Sequence, residues 1–377
     1  MKTILQLCPR LNSGGIERGT VDVAGALQAA GFRSIVASGG GHYVSQLEQQ
    51  GIEHITIPLF RKHPRAIINN SRLLRNIVAE KKVDLIHARS RAPAWSAVIA
   101  KRQLKIPLVT GCHSMHNSGP MHLKRFYNRC VSLGDKVVVN SYCVAEYVKK
   151  EFKLSDDKII VVHRGVDLSA FNEPQVPRDI KLLTQLMAKK KKIILMPGRI
   201  TRWKGQHLLL NAVATLSPDE KPIVVFAGRV DSQNYQDELE ALAAKLNLVE
   251  SVYFLGDCPD IHSLYELADI TVSASTEPEA FGRIAIEAQA AGSIMIASDL
   301  GGSRETIIPN ETGFLIESGS VAALAEKLKQ VLLLESAVRS KMIQKAREHI
   351  EKNFSKQAMC DKVIGVYQEL LGTASSP

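Results

Sequence analysis

The chain has 377 residues, 45% hydrophobic and 23% charged, with a formal net charge of +10; this length suits two ordinary domains, and the composition is that of a soluble globular protein. Six scattered cysteines, with no Cys-x-x-Cys and no Cys/His grouping at metal spacing, argue for free thiols in a reducing compartment rather than a disulfide framework. Met1 to Arg10 is too short and too soon interrupted for a secretory leader, and no apolar run approaches the ~18–20 residues that span a bilayer, so a cytoplasmic protein is expected.

Apolar segments near 3–8, 33–38, 54–57, 84–87, 107–111, 136–140 and 159–162 read as strands. Helical patterns fall between them, among them 15–30, 64–81, 93–104 and 141–151. Two prolines within Phe171 to Pro177, then a lysine-rich stretch, mark a linker. A second strand series restarts at Ile193 to Met196 and continues through Ile223 to Phe226, Val252 to Phe254, Ile270 to Ser273 and Ile294 to Ile296. After about residue 318 the pattern is helical to the end, and no internal repeat stands out. Short apolar strands separated by helices predict α/β architecture with parallel, doubly wound sheets. The expected organisation is a domain at 1–172, a second at 173–355, and a C-terminal helix at 356–377 that crosses back to the first domain or packs on the second.

Charge divides unevenly. Residues 1–170 carry 25 basic and 12 acidic side chains, a net of +13, and the remainder 23 and 26, a net of −3. The asymmetry points to an anionic partner for the first domain.

Ligands in doubly wound sheets bind beyond the carboxyl ends of the strands, so the loops that leave strands are informative. Pro9 to Arg18 opens a helix with Gly14 and Gly15, where backbone can approach a ligand closely. The segment is not G-x-G-x-x-G, and no acidic residue closes the second strand at Ile35 to Gly39, which counts against a nicotinamide cofactor. In the second half, Pro197 to Gly205 places Arg199 at a strand exit and Lys204 at a helix start, two cations suited to a diphosphate. The strand Asp269 to Ser275 then leads into Glu277-Pro-Glu-Ala-Phe-Gly-Arg-Ile-Ala-Ile-Glu287. Glu279 lies in the loop and Glu287 about a turn into the next helix, with the amides of Phe281, Gly282 and Arg283 between them. Free helix N–H groups attract anions, and carboxylates accept from hydroxyls, so a sugar diphosphate suits the segment.

These pieces together resemble the retaining, nucleotide-sugar-dependent glycosyltransferases of family 4. The matching segments are Gly14-Gly15-Ile-Glu-Arg18, Asp84-Leu-Ile-His87, the strand ending at His113, Asn140-Ser141, Arg164 to Phe171, Gly198-Arg199 with Lys204-Gly205, Ala227-Gly228, Phe254-Leu-Gly256 and Glu279-x7-Glu287. The stretches at Arg89 to Ser96, Lys124 to Asn128 and Arg164 to Asp167 look like those of bacterial lipopolysaccharide-core enzymes, with mannosyltransferases the nearest group.

The resemblance implies the GT-B fold, two Rossmann-like doubly wound domains facing each other across a cleft that closes around its substrates. It implies hexose transfer from a nucleotide-diphosphate sugar, GDP-mannose or a UDP-sugar, to a glycan or lipid-linked acceptor of the cell envelope. Arg199 and Lys204 would bind the donor diphosphate, Glu287 the ribose, and Glu279 the sugar, helped by backbone at Phe281, Gly282 and Arg283. Gly14 and Gly15 would lie by the phosphates, and Gly228 and Arg229 would border the base. His113 would approach the sugar, with its main-chain carbonyl on the reacting face; Ser114 follows where the family has an acidic residue or glycine, and His116 shares the claim. Arg89, Arg91, Arg164 and Asp167 are acceptor candidates, and the arginines would suit an anionic acceptor.

No Asp-x-Asp occurs, so Arg199 and Lys204 stand where other transferases hold a metal between carboxylates, and neither metal nor cofactor is expected. Basic–apolar segments such as Met121 to Arg129 suit peripheral contact with the inner face of the cytoplasmic membrane. No basic helix with recognition spacing and no aromatic platform favours nucleic acid. A nucleotide-sugar epimerase of the same fold and a catalytically silent nucleotide-sugar binder are the alternatives.

Overall fold

The computed structural model describes residues 1–377 except 13, 116–121, 172–183, 185, 218–220, 259–260 and 374–377, with residue 122 as backbone only. The chain forms two compact units, Met1–Gly165 together with Lys356–Pro377, and Val166–Ser355. The first unit thus ends ahead of the division expected at 172, and the final helix belongs to it. His116 lies outside the described residues.

The first unit is a seven-stranded sheet of β1 (Thr3–Leu7), β2 (Arg33–Ser38), β3 (Glu53–Thr56), β4 (Leu85–Ala88), β5 (Leu108–Cys112), β6 (Lys136–Val139) and β7 (Ile159–Val161), ordered β3-β2-β1-β4-β5-β6-β7. All its neighbours pair parallel. The central strands β1 and β5 are buried along their whole length, which is why neither shows the polar–apolar alternation of a strand with one face in water. Helix Lys356–Leu371 packs Met359, Cys360, Val363, Ile364, Val366 and Tyr367 against Ile4, Val23, Leu27, Leu85 and Val109. None of the six described cysteines is in a disulfide; burial pushes the thiol pKa values of Cys8 and Cys112 up to about 12 and about 11.

The second unit holds β8 (Ile193–Pro197), β9 (Ile223–Ala227), β10 (Val252–Phe254), β11 (Ile270–Ser273), β12 (Ile294–Ser298) and β13 (Gly313–Ile316), ordered β10-β9-β8-β11-β12-β13 and also parallel. Strand β13 corrects the sequence reading, which ends the strands at Ile296. Phe314, Leu315 and Ile316 are ordinary strand residues, but three apolar positions after a glycine are too short a run to announce a strand; Met295 to Ser298 of β12 supply its ladder.

A shared device ties each sheet at its switch point, where the first strand lies beside the fourth and the direction of winding reverses. Asp84 accepts from Thr3 N and Lys2 Nζ, both at 2.8 Å. Asp269 accepts from Ile193 N at 3.0 Å and Lys192 Nζ at 2.8 Å. Each aspartate precedes the fourth strand of its unit and grips the first, satisfying a backbone donor at the sheet end.

Candidate active site

Three loops leave β8, β9 and β11 of the second unit on the same side of its sheet. After β8 the chain makes a short turn, Arg202–Lys204, before helix Gln206–Ala214. Thr276 donates its N–H to Trp203 O over 2.7 Å, pinning that turn to the exit of β11. Lys204 is thereby carried into a partly buried position, and its Nζ lies 2.8 Å from Glu279 Oε1.

Two further donors meet the same oxygen: Ser275 Oγ at 2.6 Å and Ser273 Oγ at 3.1 Å. Burial by itself would raise the Glu279 pKa, but the Lys204 ammonium and the two serine hydroxyls outweigh it and hold the carboxyl below its usual range. The group is therefore an anion at neutral pH with one oxygen saturated. Ser273 and Ser275 escaped the sequence reading, although their period-two spacing puts both on one face of the extended chain leaving β11.

Glu279 is held in place by the loop after β12. Gly302 N donates to Glu279 O at 2.9 Å. A Cβ on Gly301 would stand 2.3 Å from Glu279 O, and one on Gly302 2.4 Å from Phe281 Cα. This Gly-Gly pair is a second contribution that sequence reading missed; its signal was the glycine pair just after an apolar strand. Gly282 caps helix Arg283–Ala291 in the left-handed region, φ 79°, a conformation that favours glycine. Phe281 is buried beside Val166, Ile286 and Phe354. The helix N-terminus thus opens between Glu279 and Glu287, as its sequence suggests.

Glu287, one turn along, accepts from Tyr265 Oη at 3.0 Å and from Arg283 Nη2 at 2.5 Å. Arg199, at the exit of β8, is half exposed and bonds Asp231 Oδ2 at 2.8 Å. Arg229 reaches the other oxygen of Asp231, also at 2.8 Å, and these two cations lower the Asp231 pKa, the Arg229 hydrogen bond most. Trp203 lies under both flanking cations, its ring 4.6 Å from Lys204 Nζ and 5.9 Å from Arg199 Cζ. Gly228, after β9, comes so close to the β8 exit that a Cβ there would stand 2.0 Å from Gly198 O. The structure brings Arg199, Lys204, Gly228, Arg229, Glu279, Phe281, Gly282, Arg283 and Glu287 to the strand exits of one unit, with Asp231 and Tyr265 as partners that had no sequence motif.

The remaining candidates belong elsewhere. In the first unit, Gly14 caps helix Gly15–Ala29. His113 follows β5, folded back so that a Cβ on Gly111 would meet its Nε2 at 2.7 Å. Its carbonyl accepts from Asn140 Nδ2 at 3.3 Å. Arg89 and Arg164 are buried together over Gly19, with Arg89 Nε on Gln6 Oε1 at 2.8 Å. Arg91 turns away to Asn128 Oδ1 at 2.7 Å and the Tyr127 ring. Asp167, in the second unit, accepts from Ser169 N and Oγ in a local turn. Among the described residues no three His, Cys, Asp or Glu side chains group as metal ligands.

Two Rossmann-like units, one with a lysine–carboxylate pair and a helix N-terminus at its strand exits, define a GT-B glycosyltransferase. Residues 13–170 match the family described as Glycosyltransferase Family 4, and residues 183–349 that described as Glycosyl transferases group 1. A crystal structure of a glycosyltransferase from Rickettsia africae is 36% identical, covers 99% of both chains and superposes with a TM-score of 0.87. The chain belongs to the family 4 glycosyltransferases.

Among more distant relatives, HepE of Anabaena in complex with UDP shares the fold at 23% identity, over 98% of this chain and all of that one, with a TM-score of 0.82. Spore coat protein SA of Bacillus subtilis is 26% identical over 77% of this chain and 79% of its own length. The lipopolysaccharide core biosynthesis mannosyltransferase LpcC of Rhizobium leguminosarum is 29% identical over 56% of this chain and 60% of its own.

Proposed function

We propose that this glycosyltransferase moves a hexose from a nucleotide-diphosphate sugar to a glycan or lipid-linked acceptor of the cell envelope, with retention at the anomeric carbon and without a metal. The observation that carries the reading is the convergence of Lys204, Ser273 and Ser275 on Oε1 of Glu279. It fixes an anionic carboxylate beside a helix N-terminus with its second oxygen left for sugar hydroxyls. The diphosphate then meets the amides of Phe281, Gly282 and Arg283 and the cations Lys204 and Arg199. Charge builds on the departing nucleoside diphosphate as the sugar becomes oxocarbenium-like, and preorganised cations and amides stabilise it there. Glu287 takes the ribose, and Gly228 and Arg229 border the base. HepE, with UDP bound, and LpcC, a core mannosyltransferase, support a nucleotide-sugar donor and an envelope acceptor respectively.

Retention in hydrolases uses a carboxyl nucleophile about 5–5.5 Å from its partner. Glu279 is engaged by Lys204 and two serines rather than set as such a nucleophile, so attack by the acceptor on the same face as the leaving phosphate is the mechanism proposed. The acceptor falls to the first unit, where exposed Lys124, Arg125, Arg129 and Lys153 accompany exposed Leu123 and Phe126. Such a mixture suits an anionic leaflet at about 1 kcal/mol per cation; no described helix is long and apolar enough to cross a membrane.

Incubation with a panel of labelled UDP-, GDP- and ADP-sugars tests the reaction. Slow hydrolysis of one donor with the α- or β-configuration preserved supports the proposal. Interconversion of the sugar indicates an epimerase, binding without turnover a silent binder, and inversion removes the retaining mechanism. Flotation with anionic and neutral vesicles tests membrane contact; equal binding to both removes it.

A further inference from the structure

The two oxygens of Glu287 are held in unlike ways. Oε2 accepts from Tyr265 Oη at 3.0 Å, and the Tyr265 ring is buried in a core with Leu264, Ala285 and Ala288. Burial and the neighbouring Glu287 charge push the Tyr265 pKa well up, so its hydroxyl remains a donor at any physiological pH. Exchanging that bond for water would require unpacking the core. Oε1 is covered instead by Arg283, four residues back on the same helix, whose side chain is 41% exposed against 13% for Glu287. A half-exposed i,i+4 ion pair is weak and readily exchanged. The carboxylate is therefore anchored on one side and capped on the other.

We propose that Tyr265 positions Glu287 and that Arg283 is a displaceable cover on Oε1, removed by the cis-diol of a nucleoside diphosphate when it binds. The inference rests on the reading of Glu287 as the ribose acceptor and adds how that acceptor is aimed and kept closed. Ligands that lack the diol have no donor with which to replace the guanidinium. Selection for ribonucleotides over deoxy forms follows from this exchange rather than from the shape of the site.

Calorimetric titration of the full chain with UDP, GDP and ADP, each beside its 2′,3′-dideoxy analogue, tests it. For the base that binds tightest, Tyr265→Phe weakens the ribonucleotide about tenfold, the scale of one hydrogen bond to a charged group, and leaves the dideoxy form unchanged. Arg283→Ala tightens the ribonucleotide about threefold by removing a surface-pair competitor, again without effect on the dideoxy form. Equal weakening of both forms by Tyr265→Phe, or unfolding of that variant, assigns Tyr265 to the core alone and overturns its positioning role. Weakening by Arg283→Ala makes the arginine a ligand contact and overturns the cover. Glu287→Ala separates the two levels: if the variant keeps the wild-type preference for the diol, or if the wild-type protein binds none of the three nucleotides, the ribose reading itself fails and this inference with it.

Discussion

Lys204 Nζ and Glu279 Oε1 stand 2.8 Å apart across 75 residues of chain, with side chains only 10% and 15% exposed. Neither charge is tenable there without the other, because a lone buried ion loses hydration that nothing replaces. Lys204→Met or Glu279→Gln alone should cost about 2–3 kcal/mol, somewhat below the value for breaking a fully buried pair. The double variant should recover most of that stability and none of the donor turnover, which one such donor lost already reduces by about 10²–10³. Urea unfolding and donor hydrolysis on the same samples check this; a double variant as unstable as the two losses combined would remove the charge-pair account.

Acid should act on the two units by different groups. His87 is fully buried, and burial, then the charges of Arg89 and Arg164, set its pKa well below the ordinary 6.5. Between those values the unfolded chain binds the extra proton, so stability falls as pH drops below about 6.5. Glu279, with its depressed pKa, contributes stability above its unfolded value and loses it as pH falls through the folded one. His87→Gln should flatten the first loss and Glu279→Gln the second. Unfolding midpoints measured from pH 7.5 down to about 2.5 separate them, the His87 loss setting in below about 6.5 and the Glu279 loss only below about 4.5.

Gly302→Ala would drive a Cβ to 2.4 Å from Phe281 Cα, which is backbone and cannot turn aside. The expected outcome is a stability loss of about 1–3 kcal/mol from overpacking, with donor turnover reduced by at least about tenfold as Glu279 shifts. Gly319, at φ 78° with open space around it, is the control. Gly319→Ala should cost about 1 kcal/mol of backbone strain and leave turnover intact.

Tyr367, on the last helix, is wholly buried in the first unit, with its hydroxyl on His87 Nδ1. Tyr367→Ala should cost about 3–5 kcal/mol, as for other large aromatic truncations. Faster amide exchange should appear in peptides from residues 1–165, where the helix packs. Exchange accelerated only in peptides from 190–350 would contradict the assignment of the helix.

On the proposed metal-free mechanism, in which Lys204 and Arg199 would supply the positive charge beside the leaving diphosphate, donor turnover should persist at its full rate in excess EDTA. Arg199→Ala should slow it by about 10² or more, and Arg199→Lys should restore only part, because an ammonium lacks the planar fork. A rate restored by added Mg²⁺ or Mn²⁺ after chelation would end the metal-free reading.

Some of this architecture was written locally. Strands β1, β8 and β12 announce themselves as apolar runs, and Glu279-x7-Glu287 brackets a helix start because Gly282 and the apolar stripe that follows define one. Strand β13 was not legible, since three apolar positions after Gly313 are too short a run to announce a strand and its ladder comes from β12. Nor was the repeated grip of Asp84 and Asp269, each a lone acidic residue among many until the sheets close.

The sequence by itself determined the alternation of strand and helix, the parallel class of both sheets, and the residue types at the exits of β8 and β11. Those follow from hydrophobic period and backbone preference within a few residues. Only the tertiary structure decided the partners: Ser273, Ser275 and Lys204 on Glu279, Tyr265 on Glu287, Asp231 between Arg199 and Arg229, and the last helix on the first unit. The reason is physical. A carboxylate's pKa, and the oxygen it leaves open, depend on donors brought within about 3 Å by packing, and separation along the chain carries no record of that distance.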